Sequence, residues 1–113
     1  MAYFLLKTYD TEKAKSLNIL EHISWQQYHS KFKLNDIVFI YLIAEEKFDC
    51  AAEIVSIEKE AKKCHLLKLF DIKNNDVIMD NKSKIPAMVS HSSKILLREN
   101  NQQLIKLLLE NKA

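Results

Sequence analysis

The sequence predicts an α+β domain: a small curved sheet, mixed or antiparallel, or an open β-barrel of five to six strands, with flanking helices. Three observations predict this class. Short apolar runs recur along the chain and are joined mainly by polar stretches of turn length. The alternation of strands and helices that marks a doubly wound parallel sheet is missing. One amphipathic helix is predicted after Asn100, with its apolar side chains at residues 104–109.

The chain has the size and composition of one globular domain, and we expect that domain to span residues 1–113. A chain of 113 residues can enclose one hydrophobic core but not two. Its 48% hydrophobic and 28% charged residues are typical of globular proteins rather than disordered ones. The first residues lack a basic segment followed by a long apolar one, and no apolar run approaches the roughly 20 residues that cross a bilayer. These features predict a cytoplasmic protein without a membrane partner.

Several apolar runs predict the strands and the main helix. The strongest strand is Ile37–Leu42, IVFIYL, which follows the turn sequence KLND. The other predicted strands are the runs 3–6, 51–57 and 64–72, with short extended segments at 87–89 and 95–97. Asn100 is the predicted N-cap of the last helix, whose leucine and isoleucine side chains form a broad apolar face.

The polar stretches between these runs predict turns and loops. Residues 44–49 and 58–63 are expected to be short connections, the second a solvated charged turn. Residues 8–18 predict a short helix or a loop, and residues 71–84 a loop or a frayed helical turn. Residues 19–28 mix apolar and aromatic with polar side chains, which suits an ordered loop or a single helical turn. The serine-rich stretch 90–93 predicts a turn, with a ligand-contacting polar nest as the alternative.

The residue types of catalytic and metal sites form no known constellation in this sequence. Glycine is absent, which excludes the Walker loop, the dinucleotide fingerprint and the nucleophile elbow. Cys50 and Cys64 are expected to be free thiols, and adjacent strand residues such as Cys64 and His65 point to opposite faces and cannot easily hold one ion. Glu53 lies inside an apolar strand and is either turned outward or a buried carboxylate with a partner. The sequence therefore predicts no metal, no cofactor and no enzyme.

The charge pattern limits how this chain could hold a nucleic acid. The formal net charge is +2, and Arg98 is the single arginine among 17 basic residues. Lysine contacts phosphate as a point charge, whereas the planar fork that clamps phosphate or reads guanine belongs to arginine. A nucleic acid would therefore be held by diffuse lysine attraction together with contacts in a pocket.

Two aromatic side chains are the strongest candidates for a binding site. Trp25 lies in a polar stretch and Tyr41 at the end of an apolar strand, and each has a polar atom that needs a partner. Core filling is the alternative for both, and it is the prediction for Phe4, Phe39 and Phe70. Aromatic planes that face each other across a cleft are what grips an unstacked base.

Four segments together form a family-like pattern: Tyr3-Phe4-Leu5-Leu6-Lys7, Trp25 in its loop, the run 33–42, and Ala52-Glu53-Ile54-Val55. They resemble the EVE domain of the PUA-like superfamily. That family typically has a YWLLK-type first strand, a loop with Trp, a K-x-G-D-x-V-x-F/I-Y strand and an A-E-V strand. The likeness covers the first half of the chain well, and the second half matches in the order of its elements.

The resemblance implies a curved, barrel-like sheet and a pocket that accepts a modified base, such as a methylated cytosine or adenine, from DNA or RNA. It implies that Trp25 forms one wall of the pocket. It also implies that Tyr41 and Leu42 lie beneath the base and that Tyr3 or Phe4 forms the floor.

The sequence departs from the family pattern in three places. Asn35 stands where the family usually has glycine, and because Asn tolerates the left-handed conformation, we expect the tight turn to be kept. Ala51 replaces the glycine that usually precedes A-E-V. Gln26 and Gln27 stand where longer members have Arg-Asn, which removes an expected phosphate contact.

These observations predict a noncatalytic module that binds nucleic acid carrying a modified base. The alternative is a protein-interaction or oligomerisation module on the same fold, without a nucleic-acid ligand. In that case the apolar face of the last helix would pair with a partner or with a second copy in a homo-oligomer.

Overall fold

A computed structural model describes residues 2–9, 11–12, 20–23, 31–79, 92–96 and 98–113. Within these residues the fold is α+β, which confirms the predicted class, with six strands and two helices. The strands are β1 (Tyr3–Thr8), β2 (Leu20–Ile23), β3 (Ile37–Leu42), β4 (Lys47–Glu58), β5 (Lys63–Asp71) and β6 (Ser92–Leu96). The helices are α1 (Asn75–Met79) and α2 (Arg98–Glu110).

The described strands form one mixed sheet in the order β2-β5-β4-β3-β1-β6. The β1–β3 pair is parallel, and the other four neighbouring pairs are antiparallel. The two longest strands, β4 and β5, are joined by the charged turn at residues 59–62, as the sequence predicted. Shorter strands flank this hairpin on both sides. In the order of the six described strands, β3 and β4 form the middle pair.

Three local predictions are wrong. Residues 20–23 form β2 instead of a loop or helical turn, because their backbone pairs with β5 and sheet pairing overrides weak local preference. Ser92 and Ser93 belong to β6 rather than to a turn, since they pair with β1. The last helix begins at Arg98, two residues before the predicted N-cap Asn100. The predicted extended segment 87–89 lies outside the described residues.

The alternation of β3 divides the apolar side chains between two cores on opposite faces of the sheet. Val38, Ile40 and Leu42 face what we call the Phe4 core, and Phe39 and Tyr41 face what we call the helix core. The buried members of the Phe4 core are Phe4, Leu6, Phe32, Val38, Ile40, Leu42, Cys50, Ala52, Ile54, Cys64 and Leu66. Those of the helix core are Leu5, Phe39, Tyr41, Phe48, Ala51, Ile72, Ile78, Leu104, Ile105 and Leu108.

Helix α2 packs its apolar face against the rest of the protein. Leu104, Ile105 and Leu108 are buried in the helix core against the sheet. The residues after α2 continue this attachment, because Lys73 donates a backbone hydrogen bond to the Asn111 carbonyl at 2.9 Å. The apolar face of α2, which the sequence predicts as a surface for a partner or a second copy, is therefore largely covered by the protein itself. None of the described helices is long and apolar enough to cross a membrane.

Candidate functional site

The structure does not bring the sequence-predicted site residues together. Phe4 and Leu42 have no exposed surface and lie in the Phe4 core, while Tyr3 and Tyr41 pack into the helix core on the other face. Neighbours along a strand point to opposite faces, so Leu42 and Tyr41 cannot both lie beneath one base. Trp25 lies outside the described residues. Tyr41 and Leu42 therefore do not share one pocket, and the role expected of Trp25 stays a prediction.

The ring of Tyr41 is covered by its neighbours. It is 8% exposed and meets the Phe48 ring edge-on at a centroid distance of 5.0 Å. The ammonium group of Lys7 lies 5.4 Å from its centroid, a cation–π contact. Burial, and secondly the carboxylate of Glu46, raise the pKa of the Tyr41 hydroxyl above its ordinary value. Tyr41 therefore serves the packing at this end of β3.

A rigid turn precedes β3 at the other end of the strand. Asn35 has a φ of 73°, the left-handed conformation expected at this position. Asp36 is buried, and its carboxylate accepts backbone hydrogen bonds from Ala2 and from Lys33, both at 2.9 Å. Two further hydrogen bonds of 2.9 Å join the turn to Ile54 of β4. The turn thereby holds Leu34 outward, with 57% of its surface exposed.

Strand β4 is irregular beside this turn. Ile54 pairs with Leu66 and Ser56 with His65, so Val55 is an extra residue that has no partner on β5. Such a β-bulge bends the strand and redirects its side chains, and bulges are frequent beside functional sites. The bulge and the turn face the same space.

That space is a groove of about 430 Å³, within the usual size range of small-ligand sites. We call it the Lys33–Lys59 groove. The turn supplies one side and the bulged part of β4 the other. The lining residues are Phe32, Lys33, Leu34, Val55, Ser56, Ile57 and Lys59.

The groove combines an apolar interior with two cationic groups at its sides. Phe32 is buried and contacts Phe4 edge-on at 4.6 Å between ring centroids, which ties the groove to the Phe4 core. Lys33 and Lys59 are exposed, and within the described part of the chain neither ammonium group forms an ion pair. An apolar floor flanked by free ammonium groups can hold a flat apolar group and the anionic groups attached to it.

Strand β2 ends at the same end of the sheet as the groove. Ile23 pairs with Cys64, and Cys64 pairs on its other side with Ile57, a groove residue. The sequence that links Ile23 to Lys31 contains Trp25. Sequence pattern does not reveal the groove residues, because a bulge and a turn bring them together only in the folded protein. The one available signal was Leu34, an apolar residue inside a polar turn.

The cysteines and histidine near the groove show no reactive arrangement. Cys50 and Cys64 are free and buried, as expected for unpaired thiols. Burial raises the pKa of each thiol to about 12, with the Asp49 carboxylate a second cause at Cys50, so neither is a thiolate at neutral pH. His65 Nε2 lies 3.0 Å from a carboxylate oxygen of Glu58. In the described ranges, no group of three or more His, Cys, Asp or Glu side chains is placed to hold a metal ion.

Solved structures of low sequence identity share this architecture. A hypothetical protein from Leishmania major superposes with a TM-score of 0.67 at 12% identity, covering 97% of this chain and 96% of that one. A single-residue variant of the ASCH protein ZmASCH from Zymomonas mobilis superposes with a TM-score of 0.61 at 12% identity, covering 98% of this chain and 99% of that one. The YTH domain of the MRB1 protein from Zygosaccharomyces rouxii, in complex with N6-methyladenosine RNA, gives 0.55 at 13% identity, covering 95% and 86%.

The chain shares its fold with these ASCH and YTH domains. No protein-family model matches the sequence, and comparison with curated protein sequences finds no match. The likeness to ASCH and YTH domains therefore concerns the fold alone.

Proposed function

We propose that this PUA-like protein is a noncatalytic module of EVE type that binds single-stranded nucleic acid, DNA or RNA, and accepts one modified base. The base lies in the Lys33–Lys59 groove, against the accessible apolar side chains of Leu34, Val55 and Ile57. The phosphates on either side of it are attracted by the ammonium groups of Lys33 and Lys59.

The observation that carries the proposal is the pairing of an apolar groove with two unpaired lysines. Lys47 and Lys68, by contrast, form ion pairs with Glu45 and Asp71. Lys33 and Lys59 both line the groove and have no such partner among the described residues. A base with its two flanking phosphates has the matching distribution of apolar and anionic groups.

The shared fold supports the same ligand class. Among the solved structures of this architecture is a YTH domain bound to N6-methyladenosine RNA. We therefore take a methylated base as the first modification to test. Trp25 is proposed to form a wall of the groove, since it follows Ile23 by two residues in the sequence and the backbone of Ile23 lies level with Ile57. Tyr41 has no part in this site.

The single tryptophan makes the experiment direct, because all indole fluorescence comes from Trp25. The intact protein is titrated with short single-stranded RNA and DNA, each with and without one methylated base. We expect the fluorescence to be quenched, and the methylated oligonucleotides to bind more tightly than the unmethylated ones. A Trp25→Phe variant, followed by fluorescence anisotropy of a labelled oligonucleotide, should bind weakly while keeping its circular dichroism spectrum.

Two results would contradict the proposal. One is the absence of binding to every oligonucleotide in the panel. The other is full binding by the Trp25→Phe variant together with a double variant in which Lys33 and Lys59 are both replaced by glutamine. The matched control is Lys47→Gln, because Lys47 is already paired with Glu45.

A further inference from the structure

The apolar side of the groove contains two side chains that packing of the fold does not explain. Leu34 is 57% exposed at the tip of its turn, and Val55 is partly exposed at the bulge. Exposed leucine and valine are common on protein surfaces, but here both line one cavity. The turn and the bulge hold them there by separate means.

The bulge determines which way Val55 points. In an unbroken strand, residues 54 and 56 would share one face and 55 and 57 the other. Instead Ile54 lies in the Phe4 core and Ile57 packs against that same core, while Ser56 is exposed and Val55 is half-buried. The extra residue thus resets the alternation, and Val55 is left at the kink, beside the groove.

Hydrogen bonds fix Leu34 relative to Val55. The Asn35 amide donates to the Ile54 carbonyl at 2.9 Å, and the Ile54 amide donates to the Asp36 carbonyl at 2.9 Å. Leu34 precedes Asn35 and Val55 follows Ile54, so both apolar side chains extend from the same backbone junction. The buried Asp36 carboxylate holds the turn from behind. The two side chains therefore form a preorganised apolar surface.

We infer that Leu34 and Val55 are the specificity-determining contacts of the groove, which select a base carrying a methyl group over the same base without it. The inference rests on the proposed function. A methyl group placed against two aliphatic side chains is removed from water, which is worth about a fourfold change in affinity. In the adenine pair, the N6–H that stands in place of the methyl group loses its water and finds no acceptor on either side chain, which adds to the preference.

The test compares two oligonucleotides that differ in one methyl group: single-stranded RNA with N6-methyladenosine or with adenosine, and single-stranded DNA with 5-methylcytosine or with cytosine. The variant is Val55→Thr, which keeps the shape of the side chain and replaces a methyl group by a hydroxyl. We expect the wild-type protein to prefer at least one methylated partner by about fourfold or more. In the variant, the ratio of the affinities for the methylated and unmethylated oligonucleotides should fall to about one, because the hydroxyl favours the unmethylated edge of the base. The affinity for the unmethylated oligonucleotide should stay within about twofold of the wild-type value.

The matched control is Val77→Thr, a valine on α1 that is 51% exposed and lies outside the groove, and it should keep the wild-type ratio. Thermal melts followed by circular dichroism show whether each variant is folded. If Val55→Thr does not fold, Leu34→Thr is measured instead. A fall of its methylated-to-unmethylated affinity ratio to about one supports the inference, and a ratio equal to that of the wild-type protein overturns it.

The possible failures are distinguishable. A wild-type protein that binds no oligonucleotide overturns the proposed function and this inference with it. A wild-type protein that discriminates, and whose Val55→Thr and Leu34→Thr variants discriminate equally well, leaves the proposed function standing and overturns the inference alone.

Discussion

The two ends of the β3–β4 pair use similar side chains for different purposes. At the Tyr41 end, lysines are engaged within the protein: Lys7 lies over the Tyr41 ring and Lys47 pairs with Glu45 at 3.1 Å. At the groove end, Lys33 and Lys59 have no ion-pair partner in the described part of the chain. The comparison shows that neighbouring side chains engage the two lysines at the Tyr41 end, whereas the two lysines that line the groove have no ion-pair partner within the described residues.

The two ends are also too far apart to form one site. Tyr41 pairs with Phe48, and the groove begins at Val55, farther along the same strand. At about 3.3 Å per residue the separation is roughly 20 Å, more than a single base can span. The five predictions that follow test this difference between the ends, in order of decreasing expected effect.

The largest effect is expected from Phe4→Ala. The side chain has no exposed surface and contacts Phe32 beneath the groove, so the variant should lose about 3–5 kcal/mol of unfolding free energy. Urea denaturation measures the loss. A stable variant with abolished oligonucleotide binding would instead show that Phe4 is a ligand contact, as the family resemblance implied.

Replacing Asp36 by alanine should affect the groove end through its turn. The variant leaves the amides of Ala2 and Lys33 without their acceptor, which should cost about 2 kcal/mol of unfolding free energy. Oligonucleotide affinity should fall as well, because the turn is no longer held. Asp36→Asn keeps one acceptor oxygen, so its unfolding free energy should lie between those of the wild-type protein and Asp36→Ala. Equal stability of all three proteins would show that the turn does not depend on this carboxylate.

The double variant with Lys33→Gln and Lys59→Gln should weaken oligonucleotide binding without changing stability. Loss of two phosphate contacts predicts a shallower salt dependence, by about 1.4 in the slope of log K against log salt, and about 25-fold weaker binding at about 0.1 M salt. Lys47→Gln should leave both quantities close to wild type, since that ammonium group is paired. Equal losses in the two proteins would remove the distinction between the ends.

Alkaline pH should destabilise both ends, because one buried thiol lies near each. Folding raises the pKa of Cys50 and of Cys64 from the ordinary 9.0 to about 12, so between these values the unfolded chain binds fewer protons than the folded one. Stability is therefore full below pH 9.0 and falls above it, by about 1.4 kcal/mol per thiol at about pH 10. Urea denaturation of Cys50→Ala and Cys64→Ala across this range should show a weaker decline. An unchanged decline would assign it to other groups.

The smallest effect is expected from Tyr41→Phe. The ring keeps its edge contact with Phe48 and its cation–π contact with Lys7, so stability should change by less than about 0.5 kcal/mol. Oligonucleotide affinity should be unchanged. A marked loss of affinity in this variant would return Tyr41 to the binding site.

Local pattern was sufficient for much of the fold. The run IVFIYL predicts the bounds of β3, and the Asn at position 35 predicts the left-handed turn that precedes it. Residues 20–23 show the limit, since nothing local distinguishes them from a loop and only pairing with β5 makes them a strand. The site was less predictable. Tyr41 has the aromatic ring and polar atom of a ligand contact, but Phe48 and Lys7 already occupy its surface.

The sequence by itself determined the α+β class, the main strands, the position of the last helix, and the exclusion of glycine-dependent phosphate sites. Hydrophobic period, turn residues and composition are local properties, so they can be read along the chain. The tertiary structure alone decided that Leu42 and Tyr41 face different cores and that Val55 bulges toward Leu34. It also left Lys33 and Lys59 unpaired within the described residues. Each of these depends on the register between strands and on which charges meet across the fold, and neither is encoded in the order of residues along one segment.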